Sequence, residues 1–148
     1  IGKRSMARKM YETQATLDAE REVANYLEKT WNTKFRKLSY KEIVDFAVCT
    51  KGSDEIKAWV EVKTRTIAST TLPYYMISMH KINHGINLYK TTGLPFFLVI
   101  KFTDGLYYYK YNDEKHILKW SGIRKSNMRD DQDREPCYFI NMELFKKV

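Results

Sequence analysis

The stretch Ile43-Val44-Asp45-Phe46-Ala47-Val48-Cys49, with its sequel Lys57-Ala58-Trp59-Val60-Glu61-Val62-Lys63, decides how this chain folds. Apolar and β-branched residues fill both runs, and Lys51-Gly52-Ser53-Asp54-Glu55 between them has turn composition, so the pair predicts an antiparallel hairpin. A turn centred on Ser53 sets Asp45 directly across from Glu61. Cross-strand Cβ atoms lie about 4.5–5.5 Å apart, and like charges at that distance destabilise a sheet. Repulsion between two such carboxylates is roughly 3 kcal/mol at an effective dielectric of about 20, which predicts a cation between them. Side chains alternate along a strand, placing Lys63 on the face of Glu61 and sending Val60 and Val62 to the other. Two carboxylates and one ammonium thus converge on one patch of sheet.

Upstream, Thr16 to Trp31 reads as an amphipathic helix in which Leu17, Val23, Ala24, Leu27 and Trp31 share a face. Glu20 falls within that face, whereas Glu22 projects to the opposite side with Asp18 and Tyr26. A carboxylate turned toward a core is unfavourable unless it is paired or bound to metal, which makes Glu20 a candidate site residue. The alternative is a glutamate whose stem lies along the interface while its head reaches water. Downstream, Tyr75, Met79, Ile82, Ile86 and Tyr89 make a second helical stripe, stopped by Thr91-Thr92-Gly93 and Pro95. Phe96 to Phe102 is a continuous apolar run of strand length, as expected of a central strand covered on both faces. Asp104-Gly105 then turns the chain into Leu106–Tyr111, where Tyr107, Tyr108, Tyr109 and Tyr111 alternate between the core and a side on which bases could stack.

Asp45 followed by Glu61-Val62-Lys63 resembles the Asp-x(n)-Glu-x-Lys signature of the PD-(D/E)xK nuclease superfamily, with Val44 standing where the family's proline would. Helix, hairpin, helix, buried strand, strand is the core order of that superfamily. Glu20-Arg21 in the helix, Asp45, Glu61-Val62-Lys63, and Gly93-Leu94-Pro95 leading into Phe96–Phe102 are closest in pattern to the archaeal-type Holliday-junction resolvases, over roughly residues 17–111. The resemblance implies an α/β, restriction-endonuclease-like fold with a mixed central sheet flanked by helices. It implies a DNA endonuclease dependent on Mg²⁺, with Mn²⁺ able to substitute. Asp45, Glu61 and the main-chain carbonyl of Val62 would hold the metal, and Glu20 would contribute directly or through water. Lys63 would orient or deprotonate the attacking water. Hard divalent cations favour such oxygen donors, and they lower the pKa of bound water.

Arg65, two residues beyond Lys63 on the same strand face, is expected within reach of the substrate phosphate, and Lys81 over the site from the second helix. Lys34 and Arg36 are further expected nucleic-acid contacts. Branched DNA is the expected substrate of a resolvase-like homodimer whose two-fold axis presents two sites, with Leu106–Tyr111 or Pro136–Leu144 as the shared surface. An exonuclease or a restriction-type nuclease on the same fold is the alternative within the class. A non-catalytic nucleic-acid-binding domain is the alternative outside it, against which the complete set of Asp45, Glu61 and Lys63 argues.

At 148 residues, the chain is expected to form one domain over 6–148, with residues 1–5 a foreign extension ahead of Met6. The 26 Lys and Arg against 18 Asp and Glu give a net charge of +8, which suits a polyanionic partner. Basic residues gather at Lys3, Arg4, Arg8 and Lys9, at Lys34, Arg36 and Lys37, at Lys63 and Arg65, and at Arg124, Lys125, Arg129 and Arg134. No apolar run is long enough to span a membrane and no signal peptide is recognisable, so a soluble protein of the cytoplasm, or of a host cell's cytoplasm, is expected. Cys49 and Cys137 form no Cys-x-x-Cys pair and are expected to be reduced. His80 and His84 have zinc-ligand spacing but lack a third ligand. The acidic cluster of Asp130, Asp131, Asp133 and Glu135 lacks the glycine of a calcium loop. Neither a Gly-rich phosphate loop nor a Gly-x-Ser-x-Gly elbow is present.

Overall fold

The hairpin forms in the register that a turn centred on Ser53 gives. In the computed structural model, which describes residues 14–39, 44–122 and 134–148, strands β2 (Phe46–Thr50) and β3 (Ile56–Thr64) pair antiparallel, with Phe46 opposite Val60 and Ala47 opposite Trp59. The first strand of the hairpin starts at Phe46, and Ile43 lies outside the described residues. Val44 and Asp45 form a bend, and the Asp45 carbonyl accepts a hydrogen bond from the Leu38 N–H at 3.0 Å. Residues 1–5, the basic residues Lys3, Arg4, Arg8, Lys9, Arg124, Lys125 and Arg129, and the acidic Asp130, Asp131 and Asp133 lie outside the described residues.

The remaining elements are α1 (Gln14–Trp31), β1 (Thr33–Lys37), β4 (Tyr74–Ser78), α2 (Met79–Thr92), β5 (Phe96–Phe102), β6 (Gly105–Lys110), β7 (Ile117–Gly122), β8 (Arg134–Asn141) and β9 (Lys146–Lys147). The main sheet has six strands in the order β1-β2-β3-β5-β6-β9. β3 and β5 run parallel, with Glu61 opposite Leu98, and the other pairs are antiparallel, so the sheet is mixed as expected. A parallel pair needs a long crossover, and β4 with α2 supplies it.

Layers form on both faces because β5 is apolar on both. Val99 joins Phe35, Phe46, Val60 and Val62 beneath Val23, Ala24 and Leu27 of α1. Leu98 and Ile100 join Trp59 on the opposite face beneath Ile82 and Ile86 of α2. α2 approaches β5 closely at Gly85, where an added Cβ would stand 2.2–2.4 Å from the Phe96 ring. Gly93 closes this helix at φ 73°, and its N–H bonds the Tyr89 carbonyl at 2.9 Å. Glycine adopts that left-handed conformation without steric penalty.

The second helical stripe is shorter than the spacing suggests. Tyr75 belongs to β4, not to the helix, which starts at Met79. The spacing of four from Tyr75 to Met79 mimics a helical turn, yet Tyr74–Ser78 alternates in exposure with the period of a strand. β4 pairs with β8, and β8 with β7, in a second sheet ordered β4-β8-β7 that the sequence did not announce. Within the sheets, β6 lies between β5 and β9, and β8 between β4 and β7. Cys49 and Cys137 are buried free thiols. No helix among the described residues is long and apolar enough to cross a membrane.

Candidate active site

Strand alternation sends Trp59, Glu61 and Lys63 to the α2 side of β3, while Ala58, Val60 and Val62 pack toward α1. Glu61 sits mid-sheet between β2 and β5 and is only 7% exposed. Lys63 Nζ lies 3.0 Å from Glu61 Oε2. Asp45 reaches the group from the bend ahead of β2, where its Oδ2 accepts the Val62 N–H at 2.8 Å. Its Oδ1 takes Lys37 Nζ at 3.3 Å, and the same ammonium bonds Glu20 Oε2 at 3.0 Å. Two linked charge groups result, Glu20–Lys37–Asp45 and Glu61–Lys63.

Burial, then the negative charge of Asp45, pushes the Glu61 carboxyl up to about 7, against the weaker pull of Lys63 and Lys81. Burial works against the charge of Lys63, but Glu61 and Asp45 outweigh it and hold its pKa above the usual lysine value. Lys37 is likewise held up, burial being outweighed by Asp45 and Glu20. Each ammonium therefore stays charged while the carboxylates face it.

Among the described residues no three Asp, Glu, His or Cys side chains converge into a group that could hold a metal ion. What does converge is a set of hard oxygens: the carboxylates of Asp45 and Glu61, with the Val62 carbonyl. In an extended strand that carbonyl points to the same edge as the N–H donated to Asp45. Two carboxylates and a carbonyl are the donor chemistry that a hard divalent cation takes, so the residues present fit one.

The sequence-predicted residues do not all meet. Glu20 lies on the inner side of α1 and Glu22 is exposed, as the helical face requires, but Glu20 reaches Asp45 through Lys37. The single bridging ammonium expected between the acids is two lysines, since Lys63 bonds Glu61 and Lys37 bonds Asp45. Lys81, exposed on α2, acts on Glu61 through its charge. Arg65 prolongs β3, its N–H bonding the Lys101 carbonyl at 2.9 Å, and its guanidinium stands 5.2 Å over the Tyr75 ring. Lys34 and Arg36 lie on the edge strand β1 beside acids outside the group, 3.9 Å from Glu28 and 2.9 Å from Asp54. His80 and His84 meet edge to face on α2, with ring centroids 5.0 Å apart.

Sequence reasoning missed Lys37 and Tyr75. The signal for Lys37 was its spacing of two from Phe35, which puts both on the α1 face of a strand.

In three dimensions the chain is similar to the solved structure of Hjc, a Holliday junction resolvase from the archaeal hyperthermophile Archaeoglobus fulgidus. The TM-score is 0.51 at 11% identity, over 87% of this chain and 88% of that one, a likeness of fold. No curated protein matches the sequence. The α/β nuclease fold, the Asp45/Glu61/Lys63 signature and a family match across residues 6–148 agree. The chain belongs to the family described as "Phage putative PDDEXK endonuclease".

Proposed function

We propose that the protein is a DNA endonuclease that hydrolyses phosphodiester bonds with Mg²⁺ and prefers branched DNA, acting as a homodimer. The observation that carries this reading is the buried Glu61 carboxyl, raised to about 7 beside Asp45 and paired with Lys63 at 3.0 Å. A divalent ion held by Asp45, Glu61 and the Val62 carbonyl would supply an acidified water and offset charge on the phosphorane. The protein's own groups do the rest. Asp45 is oriented by the Val62 N–H, and Lys37, were it to give up Oδ1 to the ion, would stay held by Glu20, which would act as the positioning residue of Lys37. Lys63 is kept charged by Glu61 and Asp45, so once their charge is offset burial dominates and its proton is released more easily. That brings the ammonium toward the range of a group able to orient or deprotonate water. Two cuts in one junction require two sites, and a two-fold homodimer presents them.

Labelled four-way junctions, flaps, duplexes and single strands, incubated with Mg²⁺ or Mn²⁺ and resolved on a denaturing gel, test the reading. Asp45→Asn is expected to abolish cleavage. Lys63→Ala is expected to slow it by a factor on the order of 10²–10⁴ while divalent-ion affinity stays near wild type. Cleavage that persists in Asp45→Asn, or that needs no divalent ion, overturns the proposal.

A further inference from the structure

Beside the carboxylate group lies a cleft of about 140 Å³ that the chemistry described above leaves unused. Its apolar walls include Ile67, Leu72, Tyr74, Met76, Phe102 and Met142, and Arg65 and Tyr75 also line it. Four of these apolar side chains, Ile67, Leu72, Tyr74 and Met76, are 36–55% exposed, a contiguous apolar surface on a protein that is otherwise strongly basic. Arg65 still bonds β5 through its N–H, so strand spacing sets it roughly 6–7 Å from Lys63 on the same face. Tyr75 links the two regions. It lines the cleft, its ring lies under the Arg65 guanidinium, and Arg65, Lys63 and Glu61 all act electrostatically on its phenol. The residue is 4% exposed, and its hydroxyl is enclosed with the Arg65 guanidinium beside it.

We propose that this cleft receives one unstacked nucleobase adjoining the scissile phosphate, a reading that rests on the nuclease function above. A base is a flat apolar surface with a polar edge, and aromatic, apolar and guanidinium groups are what unpaired bases stack on. The cleft offers apolar walls to the faces of the base, and Arg65 to the phosphate that must accompany it. In an intact duplex each base face is covered by its neighbours and extruding one is unfavourable; at a branch point a base is already partly free. The cleft thereby selects DNA carrying an unstacked nucleotide beside the cleavage position, by shape and stacking rather than by base-edge readout in a groove.

The test is a thermodynamic cycle on the full chain. Four-way junctions carrying a single abasic residue, stepped through the strands around the branch point, are bound in Ca²⁺ and followed by anisotropy, with wild type and with a Leu72→Ala/Met76→Ala variant. Both substituted side chains are exposed, so the variant is expected to melt with wild type; if it does not fold, Leu72→Ala alone takes its place in the cycle. At one position the abasic residue is expected to weaken wild-type binding about tenfold or more, and variant binding less than twofold. Effects that simply add at every position, or no sensitive position, overturn the proposal. Mg²⁺-dependent cleavage of the same junctions separates the two readings. Cleavage without coupling sinks the base subsite alone, coupling without cleavage sinks the nuclease reading alone, and failure to bind any junction sinks both.

Discussion

Glu61 holds a proton more tightly than an exposed glutamate because burial and Asp45 both disfavour its charge, which lifts its pKa from 4.5 to about 7. Between those values the folded protein keeps a proton that the unfolded chain has released. The stabilisation is complete below the lower value and is lost as pH rises through the upper one. His116 opposes this slope: burial lowers its pKa against the pull of Glu114, so its contribution is lost as pH falls. Comparison with Glu61→Gln cancels the histidine effect. The metal-free wild type is therefore expected to lose melting temperature relative to Glu61→Gln between pH 4.5 and about 7, with no further divergence above. Parallel profiles would show that Glu61 ionises normally. Divalent-ion affinity, which needs the carboxylate, is expected to rise over the same window. Lys37 gives a second test at this scale. Lys37→Met leaves Asp45 and Glu20 without their shared ammonium, and is expected to cost about 1 kcal/mol of metal-free stability, since the group is partly exposed. Calorimetric titration is expected to show roughly fivefold tighter divalent-ion binding, because the ion no longer displaces an ammonium. Unchanged affinity would place Lys37 outside the ion's reach.

At the scale of elements, the distance between α2 and β5 sets where Lys81 stands relative to Glu61. That distance rests on Gly85, against which the buried Phe96 ring is packed. Gly85→Ala must separate the two elements or force Phe96 from its rotamer, at about 1–3 kcal/mol, which exceeds the gain of up to about 1 kcal/mol from better helix propensity. Urea denaturation is expected to show a net loss with an unchanged slope. A neutral or stabilised variant would mean that the Phe96 ring yields. The hairpin is a sturdier element, because its register is held by Phe46 and Val60 within one apolar layer and by the Asp45–Val62 bond at its mouth. A slip of one residue would turn every side chain over and bury Lys63 under α1.

For the whole molecule, the mixed sheet lies between α1 on one side and α2 with the second sheet on the other. Tyr75, Ile77 and Ile140 of the second sheet pack against Phe102, Tyr109 and Phe145. The His116 ring joins the sheets, 5.6 Å from Tyr109 and 6.0 Å from Tyr138 between centroids. With a net charge of +8, affinity for junction DNA is expected to fall linearly in log–log form as salt rises, with a slope set by the phosphates neutralised. Light scattering is expected to give twice the 17.7 kDa chain mass. A monomer that degrades duplex ends and single strands as readily as junctions would overturn the branched-substrate reading.

The sequence by itself determined the hairpin and its register, the inward Glu20 and the twice-covered β5. Each of these follows from a local period or from turn chemistry, and those survive in one dimension. The turn at Ser53 was enough to align residues on either side of it, and Phe96–Phe102 has the same bounds as its strand. Only the tertiary structure decided that Lys37 holds Asp45 to Glu20, that Tyr75 lies within a short strand rather than opening a helix, and that β8 returns to build a second sheet. These depend on which distant residues meet. A spacing of four fits a helix or two steps of a strand alike, and only a partner strand separates the two. The Glu61 pKa belongs to the same class, since burial and the approach of Asp45 come from packing, and the residue type alone carries neither.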